Sequence, residues 1–197
     1  MTWRHHIDKI YKKASCRSYQ ILKCLRTKNI WTLMKLFTTY VRPILESNTS
    51  VWSPFYLKDI SHIESVQRSY TRTAFRRCGI AFSSYGDRLE KINLKSLEER
   101  RLVFDLVLVY KIMYGLCDLN FSDYFTLNNT KYNLRRHSLQ IKCTKVNTSQ
   151  KWQNSFFFRV VQVWNSLSED IVRSDNIFSF KRKLSKVYLS QFLKLSL

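Results

Sequence analysis

Three glycines and two prolines in 197 residues leave this chain almost without the residues that make tight turns. Average usage would supply roughly 14 glycines and 10 prolines over that length. A fold rich in β-hairpins needs residues that tolerate positive φ at its turns, so an all-β architecture is disfavoured. Collagen-like repeats, Gly/Ser linkers and glycine-rich phosphate cradles are excluded. Gly79, Gly86 and Gly115 are too scattered to spell GxGxxG or GxxxxGK. Helix interiors require neither glycine nor proline. An apolar content of 45%, with 15% aromatic residues, supplies a real core rather than a disordered tail. The expected fold class is mainly α.

The 34 Lys+Arg against 14 Asp+Glu give a formal charge of +20, which draws the chain to polyanions. Nucleic acid is the leading partner class and an anionic membrane surface the second. The longest apolar stretch, Leu102 to Tyr114, falls short of the ~20 residues a bilayer requires and is interrupted by Asp105 and Lys111. No membrane partner is therefore expected. No secretory apolar segment follows Met1, although the basic opening up to Gln20 shares the composition of an organellar transit peptide. The five cysteines are odd in number, widely spread and without a CxxC pair, which suits reduced thiols in an intracellular protein, nuclear or cytoplasmic.

Apolar residues recur at helical spacing over 7–27, with Lys9, Lys12, Lys13 and Arg17 largely between them, predicting a basic amphipathic helix. A second helix begins near Ile30 and is expected to kink or stop at Arg42, before Pro43. Ser47 to Pro54 then reads as a connection, with Ser53 capping the next helix. That helix, over 57–78, gathers Ile60, Ile63, Val66, Tyr70 and Ala74 on one face and Arg68, Arg72 and Arg76 on the opposite one. Like charges four residues apart repel by a few tenths of a kcal/mol, which a bound polyanion would offset. The same stripe also fits an ordinary solvated face. Gly79 suits a left-handed cap, and Ser83 to Asp87 reads as a turn. A helix over 96–115 opens on the capping pair Ser96 and Glu99 and stops at Gly115. Its body is apolar nearly all round, predicting a central buried helix.

Residues 126–151 contain no acid and six bases, among them Arg135 and Arg136. They read as a long basic loop with one short strand around Leu139 to Cys143, separating a helical bundle over 1–125 from a C-terminal unit over 152–197. That unit is predicted to hold two helices: an aromatic one through Trp164, and a basic one starting at Ser174 or Asp175 and running through Phe192.

Catalytic constellations are not legible. Two-metal phosphoryl transfer needs converging carboxylates, yet the adjacent acidic pairs are Glu98–Glu99 and Glu169–Asp170, both read as helix-flanking charges. His5, His6, His62 and His137 show neither HExxH nor finger spacing, and no GxSxG elbow occurs. No catalytic residue, metal site or cofactor is expected in this chain.

Six strings occur in order: TWRHHIDKIYKKA (2–14), YVRPILESNTSVWSPF (40–55), HIESVQRSYTRTAF (62–75), LKSLEERRLVFDLVLVYKIMYG (94–115), NSFFFRVVQVWNSL (154–167) and FKRKL (180–184). Together they resemble the region downstream of the palm in the reverse transcriptase of non-LTR (LINE-type, jockey-like) retrotransposons, over about residues 2–190. In that family, an RNA-directed DNA polymerase, a helical thumb follows the palm and holds the template–primer through its backbone. The resemblance thus implies a thumb-like bundle binding RNA, DNA or an RNA/DNA hybrid without sequence preference. Phosphate contacts are expected from Arg68, Arg72 and Arg76, from Lys9, Lys12, Lys13 and Arg17, and from Arg135 and Arg136. Tyr132 or Trp152 could stack on unpaired bases. The departures are equally specific. The palm's Asp-Asp pair and its magnesium have no counterpart here, Leu167–Ser168 replaces the family's Leu-Pro, and Arg135 to His137 lacks its Thr-Arg-Gly-His form. The chain is expected to be a non-catalytic fragment of such an enzyme. The alternative is a degenerate remnant without selected function, or one co-opted as a protein-interaction module.

Overall fold

The computed structural model describes residues 3–128, 137–143 and 155–195. The chain is mainly α-helical, and its strands among the described residues form one two-stranded sheet. Two compact units make it up, one of residues 1–101 with 193–197, the other of residues 102–192. The 126–151 stretch lies inside the second unit, and the division falls within a helix.

The first unit begins with α1 (Arg4–Cys24), whose Ile7, Ala14 and Ile21 are buried. Asn29 caps α2 (Ile30–Leu36), its Oδ1 accepting from Thr32 N at 3.1 Å. Of the two outcomes expected near Arg42, a kink or a stop, the helical path does not stop. It widens into a π-turn over Phe37–Val41 and continues as α3 (Arg42–Glu46). Pro43 has no N–H and its ring crowds the preceding turn, and the wider turn relieves both problems. The expected connection contains α4 (Thr49–Trp52), entered through Asn48 at φ 56°, and Trp52 Nε1 donates to Ser47 O at 2.6 Å. Next comes α5 (Leu57–Cys78), with Tyr56 rather than Ser53 at its N-cap. Gly79 ends it at φ 68°, its N–H reaching Arg76 O while Ile80 N reaches Phe75 O.

Where a turn was expected there is a helix, α6 (Tyr85–Lys91). Ser84 Oγ accepts from Asp87 N at 3.0 Å and Asp87 accepts from Ser83 N at 2.9 Å, a reciprocal cap. Ser96 does cap α7 (Leu97–Met113), its Oγ accepting from Glu99 N at 3.1 Å, and Gly115 ends it at φ 62°. The core of this unit joins Ile7, Leu33, Phe37, Leu45, Ile63, Tyr70 and Phe75.

The second unit starts within α7. That helix is buried over more than half its circumference, at Leu106, Val107, Val109, Tyr110 and Ile112; Leu102, Val103 and Leu108 are partly covered and Phe104 is exposed. After α8 (Phe121–Tyr124), β1 (Phe125–Leu127) pairs antiparallel with β2 (Ile141–Cys143), Phe125 opposite Cys143. The sequence reading foresaw only the second strand. Beyond it lie α9 (Phe156–Asn165), a short α10 (Glu169–Val172) and α11 (Ile177–Leu184). The last helix starts later and ends earlier than expected. Asn176 caps it through Ser179 N at 2.8 Å, and a separate 3₁₀ turn covers Ser190–Phe192.

Two polar arrangements lock this unit. Asp105, on α7, is buried and takes a two-pronged bond from Arg159 of α9, at 2.9 Å from Nε and 3.1 Å from the guanidinium NH2 group. At the end of α9 the Asn165 amide binds Ile141 on both sides, accepting from its N at 2.9 Å and donating to its O at 2.8 Å. The side chain thus stands in for a neighbouring strand beside β2. Trp164 Nε1 donates to Leu139 O at 2.9 Å, just before the same strand.

Candidate nucleic-acid interface

Helices α1 and α5 carry most of the expected binding residues, and their contacts fix how they lie. Near one end Tyr11 stacks on His62, ring centres 3.9 Å apart, with His62 Nε2 3.4 Å from Asp8. Toward the other end Arg77 donates to Leu22 O and Leu25 O, both at 2.6 Å. Equal advances along both helices mean that they run parallel. At 100° per residue, Arg72 and Arg76 then fall on the same side of the pair as Lys12, Tyr19 and Lys23. All five side chains are exposed.

The arrangement sorts the expected residues. Arg72 and Arg76 stand level with Tyr19 and Lys23, and Lys12 lies further toward the helix starts. Lys9 and Lys13 are exposed on the back of α1, and Arg17 on its opposite flank. Lys23 belongs with the stripe, which the sequence reading missed; its position eleven residues after Lys12, three helical turns on, was the available signal. Arg135 and Arg136 lie outside the described residues, as do Tyr132 and Trp152.

Arg68 is set apart from the stripe. It is half-buried, its guanidinium 5.1 Å from the centre of the Tyr85 ring. The cause is a buried arc on α5 wider than the apolar pattern predicted: Glu64, Gln67 and Thr71 are covered as well. Glu64 accepts from Tyr85 Oη at 2.6 Å and from Leu97 N at 3.0 Å, so its carboxylate sits at the start of α7. Gln67 Nε2 donates to Tyr85 Oη at 3.0 Å and to Lys95 O at 3.1 Å. Arg88 is 4% exposed, spans the Phe82 and Tyr85 rings, and donates to Thr71 Oγ1 at 3.3 Å and Arg68 O at 3.4 Å. Burial lowers the Arg88 pKa, and the nearby charge of Arg72 and Arg68 lowers it further.

Burial raises the Glu64 pKa, outweighing the bonds from Tyr85 and Leu97 and the nearby charge of Arg101, which favour the anion. A raised folded-state value gives stability that is present below the ordinary glutamate pKa, about 4.3, and lost as pH rises through the raised one. Glu64→Gln should therefore gain stability relative to the parent chain in urea titrations as pH rises above that ordinary value. A difference that stays constant with pH would refute the assignment.

Most carboxylates of the first unit are committed elsewhere. Glu46 pairs with Arg42 and Arg100, Asp87 with Lys91, Glu99 with Lys95 and Asp8 with His62. Glu98 accepts from Lys194 N at 2.9 Å and Leu195 N at 3.0 Å, within the same unit. Asp59 sits in the first turn of α5, roughly 20 Å from Arg72 at 1.5 Å per residue. Among the described residues no ion pair engages Arg72, Arg76, Lys12 or Lys23. In the second unit, Glu169 and Asp170 occupy the first turn of α10. Glu169 accepts from Ser138 N at 2.7 Å and pairs with Arg173, while Asp170 pairs with Lys183 at 2.6 Å. This acidic pair is part of the scaffold.

Comparison with known proteins adds one relative. No profile of a known protein family matches the chain, and no solved structure matches it. The chain is similar to the uncharacterized protein B0403.1 of Caenorhabditis elegans, 29% identical over 130 residues. The match covers 66% of this chain and 65% of that protein, just under two thirds of the relative's length. That protein's name states no activity, so the likeness brings none with it.

Proposed function

We propose that this chain holds nucleic acid through its backbone phosphates on the α1–α5 face, as a thumb-like, non-catalytic fragment of a retroelement reverse transcriptase would. One observation carries the reading: Arg72, Arg76, Lys12 and Lys23 share one exposed side with no ion pair among the described residues, while neighbouring carboxylates are used in the scaffold. Exposed cations in such a row repel one another and gain from a polyanion, whose phosphates recur along each strand. Phosphate contacts position a strand but carry no base information, so RNA, DNA and hybrid all fit. A chain acting inside the cell, with its cysteines reduced, agrees with this reading.

A salt series tests it. Binding to duplex DNA and to an RNA/DNA hybrid should weaken as salt rises, log K falling by about 0.7–0.9 per phosphate neutralised for each tenfold rise. Replacing Arg72, Arg76 and Lys23 together by Gln should weaken binding at least tenfold and flatten that slope, with the thermal midpoint unchanged. Arg68→Gln should instead lower the midpoint. No binding at about 50 mM salt, or affinity untouched by the triple substitution, would refute the proposal. Primer extension above background with magnesium would refute its non-catalytic part.

A second reading, a protein-interaction module, draws on the exposed apolar run Val51, Phe55, Tyr56 and Leu57. It predicts normal stability and no salt-dependent nucleic-acid binding.

A further inference from the structure

Residues 9–45 contain no carboxylate. Within that span the end of α1, the link Leu25–Asn29 and the start of α2 present two large rings to solvent, Tyr19 at 62% exposure and Trp31 at 63%. Both keep most of their area in water, so core packing does not account for them. Lone exposed rings are ordinary on protein surfaces; the company these keep is not. Lys23 Nζ lies 5.6 Å from the centre of the Tyr19 ring, and Arg26 and Lys28 are exposed in the link between the two rings. None of the three cations takes part in an ion pair among the described residues.

We infer that the α1–α2 junction is a site for unpaired nucleic acid, where Tyr19 and Trp31 stack on bases and Lys23, Arg26 and Lys28 take the phosphates between. A duplex hides its base faces along its length, so exposed rings gain nothing from its side. A single strand offers both surfaces at once, and stacking is tolerant of sequence because every base has a π-face. The inference rests on the nucleic-acid reading above and adds to it a separate strand class, sharing Lys23 with the stripe and adding Tyr19, Arg26, Lys28 and Trp31. Tyr19 lies on the same side of the helix pair as Arg72 and Arg76 and level with them, so the single-strand site extends the phosphate stripe. In function the junction would receive an unpaired strand extending from a duplex held along α5.

The test uses the full chain with three probes: short oligothymidylate, short oligouridylate and a blunt DNA duplex. Stacking on an aromatic side chain is worth about 1–3 kcal/mol per base by alanine substitution, roughly 5–150-fold in affinity. Tyr19→Ala with Trp31→Ala should weaken both oligonucleotides at least tenfold and leave the duplex and the thermal midpoint unchanged. Tyr19→Phe with Trp31→Phe should retain most single-strand affinity. Equal losses on single strand and duplex, or no loss on either, would overturn the inference. A parent chain that binds the duplex but neither oligonucleotide would overturn it while leaving the proposed function standing. A parent chain that binds nothing would overturn both.

Discussion

Asp105→Ala should destabilise the second unit by about 3–5 kcal/mol, the cost of removing one partner from a buried ion pair. Asp105 is 2% exposed and both its oxygens receive bonds from Arg159. Removing the carboxylate takes the two-pronged partner from the Arg159 guanidinium; Arg159→Ala takes it from the Asp105 carboxylate instead. Urea midpoints should fall for both single variants. The double variant Asp105→Leu with Arg159→Leu should recover much of the loss, because an apolar pair needs no compensating charge. Recovery in the double variant separates a charge effect from simple loss of packing. Single variants within about 1 kcal/mol of the parent, the range of exposed pairs, would show that the bond contributes no more than a surface contact.

Trp164→Ala should be of the same order, about 3–5 kcal/mol, as for other large aromatic side chains removed from a core. Its ring is fully buried, 6.1 Å from that of Phe180 and edge-on to His137, and its Nε1 holds Leu139 O. Truncation removes apolar area and leaves that carbonyl without its donor. Trp164→Phe keeps most of the bulk and loses the bond, so about 1–3 kcal/mol is expected, the cost of a buried acceptor left unmet. Hydrogen exchange gives a second readout, of the bond that both variants lose. Protection at β2 should fall in both variants, because the tryptophan and the adjacent Asn165 together fasten the chain around Ile141.

The long helices were legible because their apolar residues repeat at 3.6. The reading of 57–78 coincides with α5, and Gly79, Ser96 and Gly115 occupy the end positions their chemistry suggested. Short helices were not legible. A window of four to seven residues, as in α4, α6 and α10, holds too few apolar positions to define a period, and their caps were the available sign. The first strand hid for the same reason, its three residues lying directly after α8. The buried polar row of α5 was out of reach for a different cause. Glu64, Gln67 and Thr71 are polar and gave no apolar signal; α6 and the start of α7 supply their partners, and only that cover sets Arg68 apart from Arg72 and Arg76.

Bonds of this kind join segments distant in the sequence. Glu64 and Gln67 in one string meet Leu97 and Lys95 in another, while Arg159 and Trp164–Asn165 clasp Asp105 and β2. These strings are bound to one another through side chains that take the place of backbone partners. They specify a scaffold, whereas the exposed cations that the proposal relies on lie largely at positions any Lys or Arg would satisfy.

The parallel course of α1 and α5 carries an electrostatic consequence. Each helix behaves as a dipole with about half a unit of positive charge at its start and half a negative charge at its end. Antiparallel neighbours cancel these fields, whereas parallel ones add them. The two negative ends meet where Arg77 fills the carbonyls of Leu22 and Leu25, and that cation offsets part of the repulsion between them. The two positive ends reinforce one another near Asp8 and His62, on the side from which Lys9 and Lys12 project. The dipoles favour an anion only around the first turns of the pair and oppose one around the last, where the cations Lys23 and Arg76 offset them. A bound strand would feel a direction along this surface before any base is read.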